Sequence, residues 1–290
     1  MEAETRTFYD RRSGTATHVV ACPRTRACAV IDPVFDLDPR SGQTSDKPVE
    51  EIAAFVREKG LRLDWILETH VHHDHVSGAS ALQNRLGGRI AIGRGVGEVA
   101  GAIAEVYGLP IEERGLGRFD RLLDDGETIA LGDLAIEAIA TPGHTLDHLA
   151  YVVGDVVATG DTLFMPDSGT ARCDFHRGDA RQLFRSIQRI LDRPDHIRLL
   201  ACHDYGAGNK RKPAWESTVG EQRARNIHVG ASRSEGDFVE LRQRRDAGLD
   251  MPALLLHSLP LNIRAGQLPA PAAHGRVMLV IPLDVPRDAM

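Results

Sequence analysis

With 290 residues, 42% of them hydrophobic and 26% charged, the chain can bury a substantial core and has the balance of a folded globular protein rather than a disordered one. No apolar run approaches the roughly 18 residues of a membrane span. A net charge of −6 with scattered Lys and Arg argues against a nucleic-acid partner, which needs a basic face.

The acidic start Met1-Glu2-Ala3-Glu4 lacks the basic and apolar regions of a secretory signal, so the expected compartment is the cytoplasm. Residues 17–22 and 27–32 are β-rich runs around a turn containing Pro23, the pattern of an opening hairpin. Cys22 and Cys28 flank that turn and read as buried thiols, with a cross-strand disulfide between them as the alternative; together with Cys173 and Cys202 they are too few for a disulfide scaffold. Residues 36–44 carry turn chemistry and are expected to form a loop. Ser45 or Asp46 then caps a helix with Pro48 in its first turn and Ile52, Phe55 and Val56 along its apolar stripe; Gly60 stops it.

The apolar run 61–67 reads as a buried strand that delivers Thr69-His70-Val71-His72-His73-Asp74-His75. In extended chain His70 and His72 point to one side and can face one ion, while Asp74 and His75 follow as the chain turns into a helix through Ala79, Leu82 and Leu86. A strand at 90–92 and a helix at 96–107 come next. A strand pair within 122–140, turning at Leu131-Gly132-Asp133, leads into Thr141-Pro142-Gly143-His144-Thr145. The hairpin 149–158 delivers Gly160-Asp161-Thr162, and a helix at 180–191 precedes a strand at 197–201 that ends in Cys202-His203-Asp204-Tyr205. Beyond Trp215 two helices are expected, 216–229 and 234–247, then a Pro-rich tail with a strand at 277–281. Residues 249–261 are apolar enough to cover a cleft or to form a homodimer interface. The basic run Asn209-Lys210-Arg211-Lys212 reads as a solvated loop.

Every candidate ligand follows a predicted strand, so His70, His72, Asp74, His75, His144, Asp161 and His203 assemble one edge. Imidazoles with carboxylates suit zinc or iron; calcium and magnesium prefer all-oxygen sites. The halves 5–130 and 131–205 each carry strands and then a helix, which suggests two sheets covered by helices.

The set H-x-H-x-D-H at 70–75, T-P-G-H-T at 141–145, G-D-T-L-F at 160–164 and H-D-Y at 203–205 resembles the metallo-β-lactamase superfamily over about residues 5–205. The resemblance implies an α/β fold, an αββα sandwich, with a catalytic domain at 1–205 and a helical extension at 206–290 packed on it. Glu68-Thr69-His70-Val71-His72, residues 169–175 and His203-Asp204-Tyr205 most resemble the persulfide dioxygenases, which oxidise glutathione persulfide with O₂ to sulfite and glutathione. By that resemblance one Fe(II) is held by His70, His144 and Asp161, with His72, Asp74, His75 and His203 in support. The partners implied are a small thiol persulfide and O₂. In glyoxalase II, a dinuclear zinc thioester hydrolase, the same pattern implies His70, His72 and His144 on one metal, Asp74, His75 and His203 on the other, and Asp161 bridging.

Arg172 matches the arginine of the family's G-R-T-D-F pattern and is expected to hold a substrate carboxylate or to brace the site, the alternative being a salt bridge with Asp174 or Asp179. Tyr205 is expected either to donate its hydroxyl near the bound sulfur or to pack over the strand end. The sequence departs from the family in Ala171-Arg172-Cys173 and Ala201-Cys202-His203, which brings Cys173 and Cys202 to the centre as packing residues or as redox thiols. A sulfur carrier or redox sensor using these cysteines is the non-enzymatic alternative.

Overall fold

The computed structural model describes residues 2–110, 116–230 and 233–286. In order the chain forms β1 (Glu4–Tyr9), β2 (Ala16–Ala21), β3 (Ala27–Ile31), β4 (Val34–Leu37), β5 (Thr44–Ser45), α1 (Lys47–Glu58), β6 (Arg62–Leu67), β7 (Val76–Ser77), α2 (Ala79–Leu86), β8 (Arg89–Gly93), α3 (Val96–Tyr107) and β9 (Arg121–Leu123). It continues with β10 (Thr128–Leu131), β11 (Leu134–Ala140), β12 (Leu149–Val153), β13 (Val156–Gly160), α4 (Ala180–Leu191), β14 (Arg198–Ala201), the single turn α5 (Gly206–Asn209), β15 (Glu216–Thr218), α6 (Val219–Arg225), α7 (Glu235–Asp246) and α8 (Leu255–Asn262).

Two six-stranded sheets result, in the orders β1-β2-β3-β6-β8-β9 and β10-β11-β12-β13-β14-β15, with a small sheet β5-β4-β7 beside the first. Alternation along the strands sorts side chains to two faces. From β3, Ala27, Ala29 and Ile31 face the other sheet, while Cys28 and Val30 face the helices. Around Asp64 in β6 the pairing with β3 slips by one residue, from Cys28 opposite Leu63 to Ala29 opposite Trp65. This irregularity shifts parity, so that Leu63 joins the helix-side core while Trp65 and Leu67 enter the core between the sheets.

The layer outside the first sheet holds α1, α2, α3 and α8; that outside the second holds α4, α6 and α7. The architecture is an αββα sandwich. The segment after residue 205 contributes to three layers: β15 is the edge strand of the second sheet, Phe238 of α7 is fully buried beside α4, and Leu255 and Leu259 of α8 pack under the first sheet. The apolar run 249–261 is therefore largely buried inside its own chain, with Leu254 and Leu261 against Leu37 and Val76.

Several expectations are corrected. Residues 36–44 are a loop only in their middle, because Asp36 and Leu37 pair with Ser45 and Thr44. The helix expected at 216–229 begins as β15 and is helical only over Val219–Arg225; Thr218 and Glu221 form a capping box that fixes its start. Residues 277–281 make no strand, and Val277, Met278 and Val280 are exposed. Asp46 is the N-cap of α1, but its side chain makes no capping bond; Ser45 Oγ accepts from the Lys47 N–H at 3.2 Å instead. All four cysteines are free. No helix among the described residues is long and apolar enough to cross a membrane.

One buried histidine ties the two sheets together. His18 of β2 donates from Nε2 to the Ala201 carbonyl at 3.0 Å and accepts at Nδ1 from Thr7 at 2.9 Å. Burial holds it neutral, with a pKa lowered to about 4. Because the folded value lies below the unfolded one, this contribution is complete above pH 6.5 and is lost as pH falls towards and through 4. Urea unfolding at pH 7 and pH 5 is expected to show a loss of roughly 2 kcal/mol from this group. His18→Gln should reduce that pH dependence by the same amount; an unchanged slope would contradict the assignment.

Candidate metal centre

The carboxyl ends of four strands converge. β6 leads into residues 68–75, β11 into His144, β13 into Asp161 and β14 into His203. All seven predicted ligands are brought together at this edge. His70, His144 and Asp161 offer donor atoms within 4.8 Å of one another, and so do His72, Asp74, His75 and His203. Asp161 stands between the groups. Its Oδ2 lies 3.5 Å from His144 Nε2 and 3.8 Å from His70 Nε2, and its Oδ1 lies 3.4 Å from His203 Nε2.

Hydrogen bonds behind the rings decide which nitrogen faces inward. His144 donates from Nδ1 to the Arg172 carbonyl at 2.7 Å. His70 Nδ1 lies 2.9 Å from the Thr69 hydroxyl, which itself donates to Asp32. His75 and His203 each turn Nδ1 towards the Thr15 hydroxyl, at 3.3 and 3.5 Å. His72 is reversed: its Nε2 donates to Asp32 at 2.9 Å and lies 3.4 Å from Glu68, leaving Nδ1 inward. As a result His70 Nε2, His72 Nδ1, His75 Nε2, His203 Nε2 and Asp161 Oδ1 are buried atoms without a hydrogen-bond partner. Such atoms are costly to bury unpaired; a cation on His70, His144 and Asp161 would satisfy the first of them, and a cation on the second donor group would satisfy the others.

Protonation states agree with this at His70, His75 and Asp74. At His72 burial would lower the pKa, but the charges and hydrogen bonds of Asp32 and Glu68 outweigh it and raise the pKa well above its ordinary value, so a cation there must displace a proton. Burial, reinforced by the neighbouring imidazoles, pushes the His70 pKa well below its ordinary value, and burial lowers His75 as well. Burial alone would raise the Asp74 carboxyl, but the adjacent His203 and His75 outweigh it and hold it ionised. Neutral imidazole and ionised carboxylate are the ligand forms a cation requires. The donor set fits zinc or iron.

Several contributors escaped the sequence reading. Asp32 ends β3 as the ligands end their strands, and its carboxylate accepts from the Thr69 N–H at 2.7 Å, the Thr69 hydroxyl and His72. The strand-end rule that selected the ligands would have selected it too. His148, four residues after His144, accepts the Asp161 N–H at Nε2 (3.0 Å), donates from Nδ1 to Thr141 at 2.7 Å and stacks on His70 at 4.7 Å. Gly160 permits this approach: its φ is +51°, and a Cβ there would lie 2.6 Å from His148 Nε2.

A cleft of about 380 Å³ opens onto the centre, lined by His144, Asp161, His203, Tyr205, Arg172 and Arg245 among others. The Arg172 guanidinium holds both oxygens of Asp174 at 2.6 and 2.8 Å and donates to the Asp250 carbonyl, using three of its five N–H donors within the chain. Tyr205 stacks on His203 with ring centroids 6.0 Å apart and stays 57% exposed. Cys202 lies among Asp161, His203, Asp32 and His72, where burial and the three nearby aspartates push its pKa well up; burial does the same for Cys173. Both are thiols at neutral pH, the less reactive form. Arg211 of the basic run is an internal staple, bridging Asp167 and buried Asp204.

A two-sheet sandwich with histidines and aspartates gathered at one strand edge is a metalloprotein architecture. Residues 11–203 match the metallo-beta-lactamase superfamily, and the chain belongs to that superfamily. It is 46% identical over 288 residues to a probable metallo-hydrolase of Burkholderia pseudomallei, covering 96% of this chain and 98% of that one. It is also 46% identical over 277 residues to a beta-lactamase hydrolase-like protein of Xylella fastidiosa; the match covers 96% of this chain but spans only 64% of that longer protein. With the human mitochondrial persulfide dioxygenase ETHE1 it shares 28% identity over 264 residues, 90% of this chain and 88% of that one. The crystal structure of ETHE1 from Myxococcus xanthus superposes with a TM-score of 0.74 at 27% identity, covering 91% of this chain and all of that one.

Proposed function

We propose that the chain is a persulfide dioxygenase with one ferrous ion held by His70, His144 and Asp161, and that it oxidises glutathione persulfide with O₂ to sulfite and glutathione. The observation that carries this reading is the cluster of two imidazoles and one carboxylate beneath an open cleft. Iron held on one face by such a trio keeps open positions and supplies redox chemistry that zinc lacks. The likeness to ETHE1 proteins supports the reading because it runs through the C-terminal segment as well as the sandwich.

The chain's own residues then have defined tasks. The Arg172 carbonyl and Thr69 hydroxyl fix the His144 and His70 rings, and His148 fixes the backbone that aims Asp161. Arg245 lines the cleft and provides a cation for the carboxylates of a glutathione-type substrate. Leu249, Pro252 and Phe175 in the cleft wall limit water around the reacting sulfur.

One observation favours a second reading, a dinuclear zinc thioester hydrolase. The two oxygens of Asp161 face the two donor clusters, as a bridging carboxylate would. An oxygen electrode and a sulfite assay with glutathione persulfide, run beside a hydrolysis assay with a glutathione thioester, separate the two. Sulfite formed with oxygen uptake is the expected result; thioester cleavage without uptake would overturn the proposal.

A further inference from the structure

Asn262, the last residue of α8, lies 187 to 190 positions beyond the ligand motif, yet it is buried against it. Its amide nitrogen donates to the carbonyls of His72 and His75, both at 2.8 Å, and its amide oxygen accepts from the Ser77 N–H at 2.8 Å. Exchanging amide oxygen and nitrogen would oppose oxygen to two carbonyls and NH₂ to an N–H, so the orientation is fixed by its partners. Both amide hydrogens are used. They grip the two ends of the turn that carries Asp74.

Neighbouring contacts extend the grip. The Ser80 N–H and hydroxyl both donate to the Ala265 carbonyl, at 3.0 and 2.8 Å. Gly266 has φ +73°, and a Cβ there would meet the Ser77 carbonyl at 1.9 Å, so the chain after α8 lies directly on β7. Ser77 in turn donates through its hydroxyl to Glu68, which faces His72 Nε2. A continuous set of polar contacts thus runs from α8 through Ser77 and Glu68 to His72, and from Asn262 directly to the backbone of two candidate ligands.

We propose that Asn262 is a positioning residue of the centre: by clamping the His72 and His75 carbonyls it sets the direction in which His72, Asp74 and His75 present their donor atoms. The proposal rests on the donor group of His72, Asp74, His75 and His203 itself holding a metal, as in the dinuclear reading, and it fails if the cation sits on His70, His144 and Asp161 alone. Removing a partner that orients metal ligands typically costs 10- to 100-fold in metal affinity.

The test is titration of the metal-free full chain with Co(II), followed by visible absorption and chelator competition, in the unaltered protein, Asn262→Asp and Leu259→Ala. The Asp variant is isosteric and keeps an acceptor for Ser77, but it removes at least one of the two donors, offering a single O–H when protonated and none when ionised. Leu259→Ala thins the packing of the same helix and leaves the amide intact, as a control for lost stability. Expected are a 10- to 100-fold weaker Co(II) affinity and an altered spectrum for Asn262→Asp, with Leu259→Ala binding as the parent does. Should Asn262→Asp not fold, Asn262→Ser carries the same expectation. Equal affinity in the Asn262 variant, or an equal loss in Leu259→Ala, would overturn the clamp. Absence of Co(II) binding in the unaltered protein would overturn the metal reading and the clamp with it.

Discussion

Asp161→Ala is expected to purify without its metal and to lose oxygen uptake with glutathione persulfide by at least about a thousandfold, since metal assistance is worth several kcal/mol and each ~1.4 kcal/mol is tenfold. No other candidate ligand faces both clusters, one oxygen towards His144 and His70 and the other towards His203. Its removal therefore disables either a mononuclear or a bridged centre. Fold should survive, because His148 is held independently by Thr141 and the substitution shortens a side chain at the cleft floor. The check is elemental analysis with an oxygen electrode, beside thermal unfolding of the metal-free parent and variant. Retained uptake at a tenth of the parental rate or more would contradict the account.

Asp32→Ala carries the largest expected loss of stability, about 3–5 kcal/mol, the usual cost of breaking a buried charge pair. The carboxylate is buried with His72, and its removal leaves the Thr69 N–H, the Thr69 hydroxyl and His72 Nε2 without their acceptor. Burial by itself would raise the Asp32 pKa, but the charge and hydrogen bond of His72 outweigh it and hold the carboxyl well below the usual range. With the folded value depressed, its contribution is present above the unfolded pKa near 4 and is lost as pH falls through the folded one. Neutral pH therefore shows the full effect. Urea unfolding of metal-free parent and variant at pH 7 measures it; a difference under about 1 kcal/mol would place the stabilisation elsewhere.

The two largest effects thus concern one residue that the sequence displayed openly and one that it did not. His70, Asp161 and His203 stand out because short apolar runs with a turn after them identify buried strands, and ligands at strand ends need no long-range information. The αββα layering was legible for the same reason: the strands of each sheet are continuous in sequence, 4–123 and 128–218. Asp32 follows the same pattern after β3, but its partner His72 is 40 residues away and nothing local signals the pairing.

The C-terminal segment was the least legible. β15 is three residues long and owes its form to pairing with β14, not to propensity. α8 contains Pro260, which counts against a helix locally, yet Leu255, Leu259 and Ile263 are buried under the first sheet. The run 277–281 has strand propensity but pairs with no strand, and it stays irregular. Arg172 was expected to hold substrate, to brace the site or to form a salt bridge with Asp174 or Asp179; the bidentate pairing with Asp174 is the last of these, a partner only three-dimensional proximity could choose.

The central claim is a single redox metal in the His70, His144 and Asp161 cluster. Its most direct test is anaerobic titration of the metal-free protein with Fe(II), reading oxygen uptake and sulfite formation with glutathione persulfide after each addition. The account predicts that activity rises linearly and saturates at one iron per chain, and that zinc gives no uptake. Saturation at two metals per chain, or thioester hydrolysis with zinc and no uptake with iron, would contradict it.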